Sequence, residues 1–299
     1  MPRAAAPRSR SPAEAVTDTV APTAGIDDCR EVGPGEARAV SAVLEADPLV
    51  AAPAAEKFAG SGVRPGPEGR FLTRGGPDRS LVFVGNSVLP LRGDPSDHRA
   101  LGVAVAGLGL GPMSVHGRRE QVAAQWQSLR RSWGVAREYR STQFLMALRE
   151  PVAPGVAGAG CRPAVLEEFE RVLVAAAAMY REELNADPFA VGSGIPFRRR
   201  VARSLARGRT WVKFEGDHVV FKADVTAVSP RVAQLQGVWV HPERRGAGLG
   251  SGGTAAVCAA LQSRRLIPSL VVNGSNVAAR SAYRRVGMVD AVNYATVLV

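Results

Sequence analysis

The chain has 299 residues, 46% of them hydrophobic and 22% charged, a balance typical of a globular protein of two domains or one large one. No apolar run approaches the roughly 18–20 residues that cross a bilayer, residues 1–25 lack the apolar core of a secretory signal, and the widely spaced Cys29, Cys161 and Cys258 offer neither a disulfide framework nor a metal spacing. The net charge of +11 is uneven, with 19 basic against 16 acidic side chains in residues 1–160 and 19 against 11 in 161–299, so a small polyanionic ligand in the second half would account for part of the excess.

In chain order, residues 1–36 are rich in Pro, Ala, Ser and Gly without periodicity and are expected to form a disordered leader. A first α/β domain is expected over 37–149. Within it, 79–91 (RSLVFVGNSVLPL) predicts two short strands around a Gly85-Asn86 turn. Asp94-Pro95 opens a helix to about Ala106, with Asp94 as N-cap. A strand is expected at 112–115 and another at 142–148. Between them, Val122, Trp126, Leu129 and Trp133 share one face of a helix over 117–133. Residues 150–162 (EPVAPGVAGAGCR) are the linker candidate.

The second domain, 163–299, is expected to hold helices at 167–184 and 197–206, then strands at 210–214, 219–228 and 234–240. A Gly216-Asp217 hairpin joins the first two of those strands. A helix at 248–264, a strand at 269–273, a helix at 276–286 and a last strand at 291–299 complete the chain. The two halves could share a fold, although no internal repeat is visible in the residues.

Chemistry concentrates at 235–251 (LQGVWVHPERRGAGLGS). A strand ends at Val240, a basic turn follows, and glycines open a helix. Helix N-termini carry unpaired N–H groups and partial positive charge, which suit a phosphate. Gly246, Gly248 and Gly250 let a ligand approach the backbone without Cβ interference. The stretch 248–253 (GLGSGG) also matches the G-x-G-x-x-G dinucleotide fingerprint. That motif requires glycines directly after the strand and an acid about 20 residues on. Here seven residues separate Val240 from Gly248, and no Asp or Glu lies between Glu243 and Asp290, so the dinucleotide reading is set aside.

The segment Arg245-Gly246-Ala247-Gly248-Leu249-Gly250 resembles the R-x-x-G-x-G signature of the GNAT acetyltransferase superfamily, and Val238–Pro242 resembles its preceding strand and V-x-P turn. A second block, 276–288, resembles N-x-x-A-x-x-x-Y-x-x-x-G-F with Met288 in place of Phe. The resemblance covers about 160–299, and the first half is similar to the degenerate GNAT-like domain of a two-domain group. It implies an α/β fold with a mixed, mostly antiparallel sheet flanked by helices, preceded by a smaller α/β domain. The strands at 234–240 and 269–273 should splay apart.

The implied activity is N-acetyl transfer from acetyl-CoA to an amine acceptor by direct attack, without metal, in the cytoplasm. A regulatory protein that binds acyl-CoA without turnover is the alternative. By the same resemblance, backbone groups of Val238 and Val240 pair with the pantetheine arm. Arg245 and the N–H groups of Gly246, Ala247, Gly248, Gly250 and Ser251 hold the pyrophosphate. Asn276 meets the coenzyme's amides, and Tyr283 gives a proton to the departing thiolate.

The general base is less defined. The family's two usual glutamate positions fall on Gln234 and Val271, neither of which takes a proton. Glu182 and Glu183 remain, on the helix that borders the acceptor cleft. Ordinary structural roles stand beside these functional ones: Tyr283 as a core residue, Asn276 as a helix cap, and Glu182 and Glu183 as a solvated face. The basic run at 198–207 reads as a solvated surface that an acidic partner could use.

Overall fold

The computed structural model describes residues 28–111, 113–190 and 192–299. The first half runs β1 (Cys29–Glu31), α1 (Ala37–Ala46), α2 (Ala52–Ser61), β2 (Arg70–Arg74), β3 (Leu81–Val84), β4 (Val88–Arg92), α3 (Pro95–Gly107), β5 (Val115–Arg118), α4 (Arg119–Trp133) and β6 (Glu138–Ala147). The second half runs β7 (Arg162–Pro163), α5 (Phe169–Leu184), α6 (Ile195–Ala206), β8 (Thr210–Glu215), β9 (His218–Val228), β10 (Val232–Val240), α7 (Leu249–Gln262), β11 (Ile267–Asn273), α8 (Val277–Val286) and β12 (Val289–Leu298).

All twelve strands join one sheet in the order β1-β2-β3-β4-β5-β12-β6-β11-β10-β9-β8-β7. Replacing each strand by the one six places away returns the same order reversed, and the helices repeat in step, so the chain is two copies of one unit. Each copy contains one parallel ladder, β4–β5 and β10–β11. The central pair β6–β12 is antiparallel. The last strand of each unit lies between its own unit and the other: β6 pairs with β11 and β12, and β12 pairs with β5 and β6. The covalent division near residue 150 therefore does not coincide with a break in the sheet.

Alternating side chains on the strands sort the helices into two layers. Leu145 and Ala147 pack with α1 and α2, while Met146 and Leu148 pack with α7 and α8. Tyr294 faces α1 and α2, whereas Ala295 and Val297 face α3 and α4. Val212 joins α5 and α6, while its neighbour Trp211 packs toward α7. One layer is thus α1, α2, α5 and α6, and the other is α3, α4, α7 and α8.

One boundary differs from expectation. Residues 29–36, assigned to the leader, are structured: β1 pairs with β2, Val32 is buried, and Arg30 pairs with Glu36 at 2.7 Å. Residues 1–27 lie outside those described. Residues 150–162, the linker candidate, run as a strap along α7. Gln262 donates to the Glu150 carbonyl at 2.7 Å, and Gly158 N–H donates to Gly252 O at 2.8 Å. Glycine suits both ends of that last contact: a Cβ on Gly158 would lie 3.1 Å from Gly252 C, and one on Gly252 3.2 Å from Gly158 Cα, so either would push the strap outward by a few tenths of an ångström.

Candidate functional site

The parallel ladder between β10 and β11 is short. It pairs Val232–Leu235 with Ile267–Leu270, and β10 then runs on to Val240 without β11. The cause is a bulge. Gln236 pairs with Asp224 and Trp239 with Lys222, so Gly237 and Val238 oppose a single residue. Gly237 takes φ +59, and a Cβ there would lie 2.9 Å from Met179 Sδ and 3.3 Å from Asp224 Oδ2, so only glycine fits without strain. The extra residue reverses the alternation along β10. Leu235 faces α7, but Trp239, four residues on, turns to α5.

His241 N–H donates to Val220 O at 3.0 Å, so the peptide groups of Trp239 and His241 face β9. Those of Val238 and Val240 then face the gap on the β11 side.

At the end of the gap, Gly246 and Gly248 both adopt left-handed φ, +80 and +78, with open space where a Cβ would stand. Gly248 caps α7 without any side-chain hydrogen bond, leaving the first-turn N–H groups of Leu249, Gly250 and Ser251 directed outward. The duplicated unit supplies an internal comparison. At the matching helix, α3, the Asp94 carboxylate accepts from Ser96 N–H at 2.7 Å and Asp97 N–H at 2.9 Å, and Pro95 has no N–H to give. Hydrogen bonding holds the Asp94 carboxyl down at about 2. An anion is already built into the first helix start; the second accepts one from outside. The strap closes one side of this start, forming a cleft of about 280 Å³ lined by Gly155–Gly158, Cys161, Lys213, Ala247–Leu249 and Ser251–Gly253.

Tyr283 lies on α8 and is buried against Cys258 and Val286. Loss of solvent raises its pKa, with Glu183 adding to the rise. Glu183 projects from the C-terminal turn of α5, in the opposite helix layer. The two groups therefore flank the strand gap from either side. Glu183 reaches solvent yet is crowded by protein, and desolvation pushes its carboxyl up, against the pull of Arg140 and Lys222. Glu182 is engaged differently. Its Oε2 accepts from Arg245 at 2.6 Å and its Oε1 from Trp239 Nε1 at 3.1 Å. Arg245 Nε also donates to Val240 O at 3.2 Å.

Asn276 stands apart from this group. It caps α8, its side chain accepting from Ala279 N–H at 3.0 Å, and it is exposed. The structure thus brings Val238, Val240, the 245–251 loop, Tyr283, Glu182 and Glu183 around one gap, and leaves Asn276 in its capping role with its amide N–H₂ still free of that bond.

Sequence reasoning missed several residues here. Lys222 is fully buried and pairs with Asp224, whose Oδ1 lies 2.7 Å from Thr210 Oγ1. The visible signal was a K-x-D spacing that puts both side chains on one face of a strand, in a chain with only three lysines. Two contributions come from the first half of the chain. Arg140 donates to the Glu183 carbonyl at 3.3 Å, and Gln143 Nε2 donates to Asn273 Oδ1 at 2.7 Å at the mouth of the gap. No local pattern reveals these, because strand exchange puts β6 there.

Among the described residues there is no cluster of three metal-binding side chains and no helix long and apolar enough to cross a membrane.

Residues 173–288 match the family model described as Acetyltransferase (GNAT) family, and 69–172 match a domain of unknown function, DUF4081. No curated protein matches the chain in sequence. Similar solved structures include a Drosophila protein determined as a structural-genomics target, with 13% identity, 91% of this chain and 98% of that one covered, and a TM-score of 0.61. A GCN5-related N-acetyltransferase from Sphaerobacter thermophilus shares 16% identity over 90% of this chain and 94% of its own, with a TM-score of 0.55. An acetyltransferase from the GNAT family of Colwellia psychrerythraea shares 10% identity over 90% and 98%, with a TM-score of 0.52. At these identities the likeness is one of fold, and it spans both halves of the chain.

Proposed function

Residues 173–288 form a domain of the GNAT acetyltransferase family, and from that premise we propose that the chain transfers an acetyl group from acetyl-CoA to an amine acceptor. The observation that carries the reading is the conjunction of a strand gap, edged by peptide groups that no strand pairs, with an uncapped, glycine-opened helix start at its end. The extended pantetheine arm suits the first, and a pyrophosphate suits the second.

In this reading the peptide groups of Val238 and Val240 hold the arm as a false strand, and one N–H faces the thioester carbonyl oxygen. Gly246, Ala247, Gly248, Gly250, Ser251 and Arg245 hold the pyrophosphate. The amine nitrogen bonds to the carbonyl carbon, the C–S bond breaks, and the amine's proton passes to Glu183. A carboxyl raised by desolvation is a better proton acceptor than an ordinary one.

Tyr283 serves the sulfur. Burial raises its pKa, and a thiol ordinarily titrates near about 8.5, so full proton transfer from this phenol to a thiolate runs uphill. A hydrogen bond to the leaving sulfur is what Tyr283 offers. No protein nucleophile enters the step. The setting proposed for the chain is the cytoplasm.

The test is isothermal titration with acetyl-CoA followed by thiol release over a panel of primary amines. Micromolar binding with turnover supports the reading. Binding without turnover on any amine moves the chain to the class of acyl-CoA-binding regulators, the outcome that the non-titrating Gln234 and Val271 would favour. Absence of binding removes the reading.

A further inference from the structure

Glu182 was expected as a proton acceptor, but its contacts give it another task. It stands on α5, 63 residues from Arg245 in sequence, and its two carboxylate oxygens are divided between two partners. Trp239 Nε1 donates to one at 3.1 Å, and Arg245 donates to the other at 2.6 Å. Trp239 is buried on β10, so this oxygen is anchored to the sheet. Arg245 is thereby drawn away from the start of α7 and laid across the end of β10, where its Nε meets the Val240 carbonyl at 3.2 Å.

That carbonyl is one of the peptide groups that face the strand gap. The same guanidinium is the loop's charge for a pyrophosphate. In its present position, then, Arg245 stands against both ends of the coenzyme. It covers a backbone acceptor needed by the arm, and it is turned from the helix start that would take the phosphates. The neighbouring Arg244 is held by Glu215 at 2.7 Å, which leaves Lys213 as the other cation lining the cleft at the helix start.

We propose that Glu182 is a positioning residue that competes with the coenzyme's pyrophosphate for Arg245. This rests on the coenzyme reading given above. Binding exchanges one anion for another at the guanidinium: Arg245 leaves Glu182 and Val240 O, and turns to the phosphates. Glu182 keeps its Trp239 bond but loses its cation. Its negative charge then stands beside Glu183, whose carboxyl it already pushes up, at the acceptor side of the gap. Coenzyme binding in this way prepares a more anionic cleft, suited to an ammonium, and makes Glu183 a better proton acceptor. Because both members of the pair are partly exposed, with side chains 51% and 41% accessible, the competing contact is weak enough to be displaced.

The experiment uses the full-length protein titrated calorimetrically with coenzyme A, comparing wild type, Glu182→Gln, Arg245→Gln and the double variant. Glu182→Gln is expected to bind coenzyme A about 2–5 times more tightly, since the competitor is gone; a pair of this kind is worth up to about 1 kcal/mol. Arg245→Gln is expected to bind about tenfold more weakly. The double variant should match Arg245→Gln within about twofold, because Glu182 acts only through Arg245. Glu182→Asp, too short to hold both partners, should also bind more tightly than wild type, which keeps the test usable if Gln disturbs folding.

A merely structural Glu182 would weaken binding when altered, or leave it unchanged, and either result with the thermal midpoint preserved overturns the proposal. So does tighter binding that persists without Arg245. Failure of the wild-type protein to bind coenzyme A overturns the coenzyme reading itself and this inference with it.

Discussion

Replacing Gly237 by alanine tests whether the bulge is what opens the sheet. Two costs can be separated. The first is conformational: at φ +59 a non-glycine residue sits in the left-handed region, at about 1–2 kcal/mol. The second is crowding: the new Cβ would lie 2.9 Å from Met179 Sδ, 3.1 Å from its Cε and 3.3 Å from Asp224 Oδ2. Met179 can swing its flexible end aside, whereas Asp224 is tied to Lys222 and Thr210. Crowding therefore adds about 1 kcal/mol, in the lower range for overpacking.

Gly216 supplies the control. It has nearly the same φ, +56, in the β8–β9 turn, with nothing within 4 Å of its would-be Cβ. Gly216→Ala should lose about 1–2 kcal/mol and Gly237→Ala about 2–3 kcal/mol. In thermal melts that is roughly 2–3 °C against 3–5 °C for a chain of this size. Titration with acetyl-CoA then separates stability from site. Only Gly237→Ala should weaken binding, by tenfold or more, because Val238 and Val240 lose the orientation of their peptide groups. Equal destabilisation by both variants, together with unchanged coenzyme affinity, would refute the argument.

Other expectations follow from the same geometry. Gly248→Val should abolish acetyl-CoA binding measured by calorimetry while lowering the melting temperature by only a few degrees, since its Cβ meets open space on the protein side. Glu183→Gln should lower kcat by about 10²–10⁴ with coenzyme affinity nearly intact. In the wild type, the raised carboxyl predicts that kcat/KM rises with pH through an apparent pKa above the ordinary value near about 4.3. Tyr283→Phe should reduce turnover more than coenzyme affinity, and equal losses in both would mark the tyrosine as structural.

Stability should fall on mild acidification. Burial holds His98 and His116 down at about 4 from 6.5, so the folded state binds fewer protons than the unfolded one in this window. The stability these residues contribute is present above pH 6.5 and is lost as pH falls toward 4. Linkage gives a loss of about 2 kcal/mol per histidine at pH 5. Denaturant melts at pH 7 and pH 5 would measure it, and the fall should vanish in variants with both histidines replaced.

What could be read in the sequence was local. Asp94 does cap α3, Gly216-Asp217 does turn the β8–β9 hairpin, and the glycines at 246 and 248 do open α7. Each rests on backbone conformations that a few neighbouring residues dictate. The helix α1 was overlooked although Val40, Val43 and Leu44 do share one buried face, whereas α2 escaped notice because 48–62 mixes Pro, Gly and many alanines, which carry little periodic signal. Lys57, buried there, looks like a surface lysine in sequence but donates to the Gly62 and Arg64 carbonyls at 2.8 Å each.

Contacts that join distant segments were invisible for a different reason. Arg245 meets Glu182, Gln143 meets Asn273, and the Gly237 bulge is defined by its register against β9. Nothing in local composition encodes strand order. The place of Glu182 in particular depended on Trp239 facing α5, which only the bulge explains.

The crossing of β6 and β12 says something about how such a chain came to be and how it must assemble. A half-length ancestor with this topology would have had its last strand held by a second copy of itself, an intertwined homodimer of the kind that arises by domain swapping. Joining the copies end to end fixes the partnership and frees each lobe to diverge. That is how one helix start could acquire an internal carboxylate while the other stayed open for a visitor. On the ribosome the same crossing imposes a delay. The slot beside β6 is filled only when β11 and β12 emerge, more than a hundred residues later, so until synthesis is nearly complete the first lobe carries an unpaired strand edge.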